Sequence, residues 1–192
     1  MAGLPGAGKT EFTKNLIQML GLNVVRIDMD EIASFIDGYQ PEKAHAFREA
    51  ASDMLSAVFD TATKRRVDFI MDGTFGGGKA IENIKRCNKK GYHTRLIYLH
   101  QEPKLAWDFT VDREKVEKRR IDKQGFINSY FAVFNNLDLL REVDIQNFTI
   151  DIVVKTADNR IGDWYENVSL ADIDGILGQR YNRDQLEKDL KQ

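Results

Sequence analysis

The chain opens with Gly3-Leu4-Pro5-Gly6-Ala7-Gly8-Lys9-Thr10, which fits G-x-x-x-x-G-K-[ST] at every fixed position. That spacing predicts a loop whose backbone N–H groups curl around the phosphates of a nucleotide. Its glycines supply positive φ and leave room for phosphate oxygens. Lys9 is placed to reach the β- and γ-phosphates, and the Thr10 hydroxyl to take a position on Mg²⁺. A helix beginning near Thr10 points its partially positive end at the same anion. The plainer alternative is a chance glycine-rich turn before a helix. Four fixed residues and a helical pattern behind them argue against it.

A loop of this kind hangs from the end of a buried strand, and only Met1 and Ala2 precede it here. The sequence therefore predicts a sheet that lacks the strand before the P-loop. It also predicts a chain that is shortened, or whose start is assigned late, with full activity expected of the intact protein.

Outward from the loop, strands and helices alternate. Thr10 to Leu20 carries Phe12, Leu16, Ile17 and Leu20 at helical spacing and stops at Gly21. Asn23 to Ile27 reads as a short buried strand ending at Asp28-Met29-Asp30, with a short helix from Glu31 to Phe35. A long helix is expected from about Glu42 to Arg65, and a strand over Val67 to Met71 ends at Asp72-Gly73-Thr74. A helix over Ala80 to Lys89 precedes a strand from His93 to Leu99. Pro103 opens a helix running into the charged stretch Asp112 to Lys123, and another spans Lys123 to Arg141. Phe148 to Val154 is the last clear strand, Asn159 to Gly162 reads as a turn, and two short helices finish the chain.

This order predicts an α/β fold, a P-loop kinase-like parallel sheet with helices on both faces. Residues 1–192 are expected to form a single domain, with a small helical appendage at about 165–192. Hydrophobic residues at 42% and charged residues at 30% fit a soluble globular protein. A formal net charge of −2 gives no nucleic-acid footprint and disfavours that partner. The single cysteine, Cys87, allows no intrachain disulfide and fits a reducing, cytoplasmic setting. No apolar run is long enough to cross a membrane, and the N-terminal residues do not read as a signal peptide.

In a parallel sheet, chemistry gathers at the carboxyl ends of the strands. The P-loop, Asp28-Met29-Asp30 and Asp72-Gly73-Thr74 all fall at such ends, so three pieces converge on one rim. Phosphoryl transfer needs a fixed nucleotide, an acceptor hydroxyl in line, a proton acceptor and positive charge on the migrating group. Asp30 or Asp28 would serve as the proton acceptor. The expected division of labour puts the base at Asp30 and leaves Asp28 to cap the next helix or touch the metal through water. Arg113, Lys118, Arg119 and Arg120 would form a lid whose guanidinium groups close on the γ-phosphate, although such runs are commonly a solvated helix face. Asp72 and Thr74 could bind sugar hydroxyls, or simply hold a turn at Gly73. His45, His93 and His100 show no ligand spacing, and Phe126, Tyr130, Phe131 and Phe134 lie on one helical face as core.

Taken in order, the P-loop, the Asp-x-Asp, the Asp-Gly-Thr, the Gly91-Tyr92 turn and the arginine stretch at Arg119 resemble the zeta toxin family of P-loop kinases. The resemblance runs from Gly3 to about Tyr130. It implies ATP and Mg²⁺ as cofactors and phosphorylation of a sugar hydroxyl of the nucleotide sugar UDP-N-acetylglucosamine. It further implies a toxin held in check by a small helical antitoxin. By position, Lys9 and Thr10 match the ATP and Mg²⁺ contacts, Asp30 the catalytic base, and Asp72 and Thr74 the sugar-nucleotide contacts. Arg113 and Arg119 match the two arginines near the transferred phosphate, with the adjacent Arg120 competing for the second place. Ser56 stands where plasmid-borne members carry a glutamate. Competing readings are a P-loop kinase for a polynucleotide 5′-hydroxyl or a small metabolite, and an inactive shortened domain that binds a nucleotide or a partner.

Overall fold

The computed structural model describes residues 1–117 and 122–190. The strand ahead of the P-loop is present as a stub of two residues, β1 (Ala2–Gly3), rather than absent as the sequence suggested. It is followed by α1 (Lys9–Leu20), β2 (Val25–Asp28) and α2 (Met29–Ser34). A 3₁₀ helix (Pro41–Phe47) leads into α3 (Arg48–Arg65), so the expected long helix starts late. None of the residues in that 3₁₀ segment is buried, and little packing is available there to hold a regular α-helix.

The chain continues through β3 (Phe69–Asp72), α4 (Ala80–Lys89), β4 (Thr94–His100), α5 (Pro103–Glu117) and α6 (Lys123–Arg141). It ends with β5 (Phe148–Lys155), β6 (Ile161–Tyr165), α7 (Ile173–Leu177) and α8 (Arg183–Asp189). β2 and β3 pair in parallel, as do β1 with β4 and β4 with β5, whereas β6 returns antiparallel along β5. The stub joins the two groups of strands. Ala2 and Gly3 sit opposite Tyr98 and Leu99 of β4, and the Gly3 N–H donates to the Thr74 carbonyl just past β3 at 3.3 Å.

The pleat sorts β4 and β5 onto two faces. Leu96, Tyr98, Ile150 and Ile152 turn toward Phe126, Tyr130, Val133, Phe134 and Leu137 of α6 in the largest core. Ile97, Leu99 and Val153 turn the other way, against Ala7 of the P-loop and Phe12 of α1. Helices thus cover both faces, as the alternation of elements requires. Each large apolar side chain buried this way contributes about 1.5–3 kcal/mol. Ile173, Leu177, Leu186 and Leu190 of the C-terminal segment belong to the α6-side core. A third cluster of Ile27, Ile32, Phe59, Ala62 and Cys87 packs α2, α3 and α4 around β2. Among the described residues, no helix is long and apolar enough to cross a membrane.

Candidate active site

The P-loop is built by close approach. Gly3 has φ +142, and a β-carbon there would sit 2.5 Å from the Leu99 carbonyl oxygen. At Gly6, with φ +77, a β-carbon would meet the Ala106 carbonyl oxygen at 2.0 Å, so the loop lies directly on α5. Gly8, with φ 76 and ψ 26, turns the chain into α1, and no side chain caps that helix. Its first-turn N–H groups are therefore aimed into the loop without a side-chain acceptor, as an anion cradle requires.

Lys9 is folded onto the loop, its Nζ donating to the Leu4 carbonyl at 2.7 Å. Burial pulls its pKa down from 10.5 to about 8, opposed by the negative charge of Asp72 and reinforced by the positive charge of Arg113, with Asp28 and Glu11 adding smaller opposing effects. Four predicted site residues (Lys9, Asp28, Asp72 and Arg113) therefore share one electrostatic neighbourhood. Thr10 follows Lys9 in the first turn of α1. Arg113 lies on α5 one turn beyond Thr110, whose Oγ1 would be 2.6 Å from a Gly6 β-carbon, so the helix that carries Arg113 is the one the P-loop rests on.

Asp28 and Asp72 close β2 and β3 in register. Asp28 caps α2, with Oδ1 accepting from the backbone N–H groups of Asp30 at 2.8 Å and Glu31 at 3.0 Å. Its other oxygen accepts from Arg26 Nη1 at 2.7 Å, and the same nitrogen donates to Asp72 Oδ2 at 3.0 Å. The second Arg26 nitrogen, Nη2, donates to Glu31. Both Asp28 oxygens are thus engaged in holding the rim. Asp30 occupies the exposed first turn of α2, and the Asp28 cap fixes its peptide.

The Asp72-Gly73-Thr74 turn is held from two sides. The Thr74 hydroxyl accepts from the Gly76 N–H at 3.2 Å. From α6, the buried Asn136 amide donates to the carbonyls of Phe75 at 2.6 Å and Gly77 at 3.1 Å. Asn136 and Arg26 were not singled out from sequence. Arg26 carries a usable signal: it stands two residues before Asp28 in a short strand, and the period of 2 puts both on one face. Asn136 has none, since its partners are some sixty residues away.

Arg119 and Arg120, with Lys118, lie outside the described residues. Among the described residues no group of three or more His, Cys, Asp or Glu side chains could hold a metal ion. That suits Mg²⁺, which takes most of its ligands from phosphate and water and needs one or two protein oxygens at most. The Thr10 hydroxyl, in the first turn of α1, is of a type that would fit that need.

These features agree with comparisons to known proteins. A structure from the PezAT chromosomal toxin–antitoxin system of Streptococcus pneumoniae matches with a TM-score of 0.68 over 97% of this chain and 80% of that one, at 18% identity. At that identity the likeness speaks for the fold, a mainly parallel sheet with helices of the P-loop kinase type. No curated protein matches the chain. The sequence profile of the Zeta toxin family matches residues 1–169, so the chain is a member of the zeta toxin family and carries its P-loop kinase-type fold.

Proposed function

We propose that the protein is an ATP-dependent kinase that phosphorylates a sugar hydroxyl of a nucleotide sugar, UDP-N-acetylglucosamine, and acts as the toxin of a toxin–antitoxin pair. The observation that carries this reading is the P-loop itself, with no side chain capping α1, seated on the helix that carries Arg113 and with the strand-end carboxylates Asp28 and Asp72 close enough to act on the Lys9 charge. Membership of the zeta toxin family supports the acceptor and the antitoxin.

In this reading the N–H groups of residues 6–10 and the Lys9 ammonium grip the triphosphate. Thr10 would hold Mg²⁺, which would supply charge neutralisation at the phosphates. Asp72 and Thr74 orient the sugar. The acceptor hydroxyl oxygen attacks the γ-phosphorus in line, the bond to the β-phosphate oxygen breaks, and ADP leaves. The hydroxyl proton passes to the Asp30 carboxylate. Arg113 and Arg119 or Arg120 stabilise the charge on the migrating phosphoryl group. Arg26 keeps Asp28 and Asp72 in register and takes no proton itself.

The test is γ-phosphate-labelled ATP offered with UDP-N-acetylglucosamine, with a 5′-hydroxyl oligonucleotide, and alone. Label on the nucleotide sugar, dependent on Lys9, is the expected result. Label on the oligonucleotide alone would assign the site to a different acceptor.

A further inference from the structure

The end of the molecule opposite the candidate site carries a surface that phosphoryl transfer leaves unused. Helices α1, α3 and α4 each deliver the chain to the start of a strand, β2, β3 and β4, so the three helix ends meet at the edge where those strands begin. Hydrogen bonds tie them together. The Val25 N–H donates to the Asp68 carbonyl at 3.0 Å, Lys90 Nζ to the Thr63 hydroxyl at 3.3 Å, and the Tyr92 hydroxyl to the Val67 carbonyl at 3.1 Å.

The stretches 19–25, 64–68 and 85–93 that form this end carry seven Lys and Arg residues and one acid, Asp68, in a chain whose formal net charge is −2. Arg86 is engaged by Asp60. Lys64, Arg65, Arg66, Lys85, Lys89 and Lys90 make no ion pair among the described residues. Cations in a last helical turn offset the macrodipole, which accounts for Lys64, Arg65 and Lys89. It does not account for Arg66, which ends α3 with φ 54 and ψ 38. That left-handed position suits glycine, the residue that turns the chain after α1 at Gly21 and after α4 at Gly91. An arginine there keeps a charge at a cost in backbone strain.

The apolar half of the surface comes from α1, whose last turn holds no basic residue. Met19 is 83% exposed and Leu20 62% exposed, and Leu22, Val25 and Val67 are also open to solvent. A phosphodiester backbone has no use for such side chains, whereas a bilayer interface takes them up. We propose that this end of the molecule rests on an anionic bilayer surface, with the six cations among lipid phosphates and Met19 and Leu20 at the acyl boundary. The candidate site, at the other ends of the strands, then faces away from the bilayer and stays open to its substrates. The overall charge of the chain repels an anionic surface, so attraction requires this patch. The proposal does not depend on which acceptor the site phosphorylates.

The test is co-sedimentation of the full chain with mixed phosphatidylglycerol–phosphatidylcholine vesicles and with pure phosphatidylcholine vesicles, beside fluorescence anisotropy of a labelled DNA duplex. The expected result is binding to the anionic vesicles alone, largely lost in 1 M salt, where the Debye length shrinks to about 3 Å. Each cation near such a surface contributes about fivefold, so Lys64→Gln/Arg65→Gln/Lys89→Gln should weaken binding about a hundredfold. Met19→Gln/Leu20→Gln should weaken it about tenfold. These are exposed helical positions where glutamine is well accommodated, and circular dichroism checks that the variants fold. Arg66→Gly relieves the backbone, so its thermal midpoint should hold or rise while binding weakens about fivefold, a split that a purely structural role for Arg66 does not give. No binding to anionic vesicles, equal binding to pure phosphatidylcholine, or unchanged binding in any of the three variants overturns the proposal. Binding of the duplex without binding of vesicles overturns it in favour of a nucleic-acid partner.

Discussion

Asp28 and Asp72 face each other in register across two parallel strands and share a single guanidinium nitrogen, that of Arg26. Two like charges this close are tolerated because a cation lies between them, and because Asp28 also accepts two backbone N–H groups. The Asp72 side chain is 2% exposed and that of Arg26 is 15% exposed, so water screens the cluster poorly.

Removing the cation leaves two carboxylates confronting each other in a largely dry setting. Arg26→Ala is expected to cost about 3 kcal/mol of stability, the usual result of breaking a buried pair from one side. Urea denaturation checks this, with the midpoint falling and the slope unchanged. Asp72→Asn in the Arg26→Ala background should restore part of the loss, because Asp28 then no longer faces a second buried carboxylate.

Asn136 acts on the site through the turn after β3. Asn136→Ala removes the donor to the Phe75 and Gly77 carbonyls and frees the segment that carries Asp72 and Thr74. The expected outcome is a loss of about 1–3 kcal/mol in stability. It should come with a higher KM for the acceptor and a smaller effect on the Kd for ATP, since β4 and α5 hold the P-loop besides the single Gly3 N–H bond to the Thr74 carbonyl. Steady-state kinetics with each substrate varied in turn distinguishes the two.

Lys9 titrates within an accessible range. Its ammonium is the form that binds phosphate, and burial holds its pKa at about 8 in the free protein. ATP affinity should therefore be flat below pH 8 and fall by about tenfold per pH unit above it. Binding at pH 9 should take up a proton, seen as a calorimetric enthalpy that depends on the ionisation enthalpy of the buffer. The sign for folding is opposite to that of an ion-paired lysine. Between about 8 and 10.5 the unfolded chain holds the proton and the folded one does not, so this group's contribution to stability rises with pH across that window. Lys9→Met should abolish both effects.

Much of this was legible in the sequence because the informative residues have fixed spacing. The P-loop, the Asp-x-Asp and the Asp-Gly-Thr each sit where a strand ends, and strand ends of a parallel sheet share a rim. The helices at Ala80–Lys89 and Lys123–Arg141 have the bounds their patterns gave. β6 was missed for a physical reason: all five of its residues are exposed, so no alternation marks it. Pairing with β5 and a contact between Trp164 and Phe12, with ring centroids 5.7 Å apart, hold it instead. β1 is too short for any periodicity to show. Arg26 looks like a solvent-facing charge until its partner 46 residues away is brought beside it.

The most direct test of phosphoryl transfer across this rim is single-turnover kinetics of Asp30→Asn beside ATP titration of the same protein. The substitution keeps the size of the side chain and the Asp28 cap but removes the proton acceptor. Transfer of the γ-phosphate to UDP-N-acetylglucosamine is predicted to slow by about 10²–10⁴-fold while the Kd for ATP stays within about twofold. Transfer at the wild-type rate would contradict the assignment of Asp30 as the base facing the P-loop.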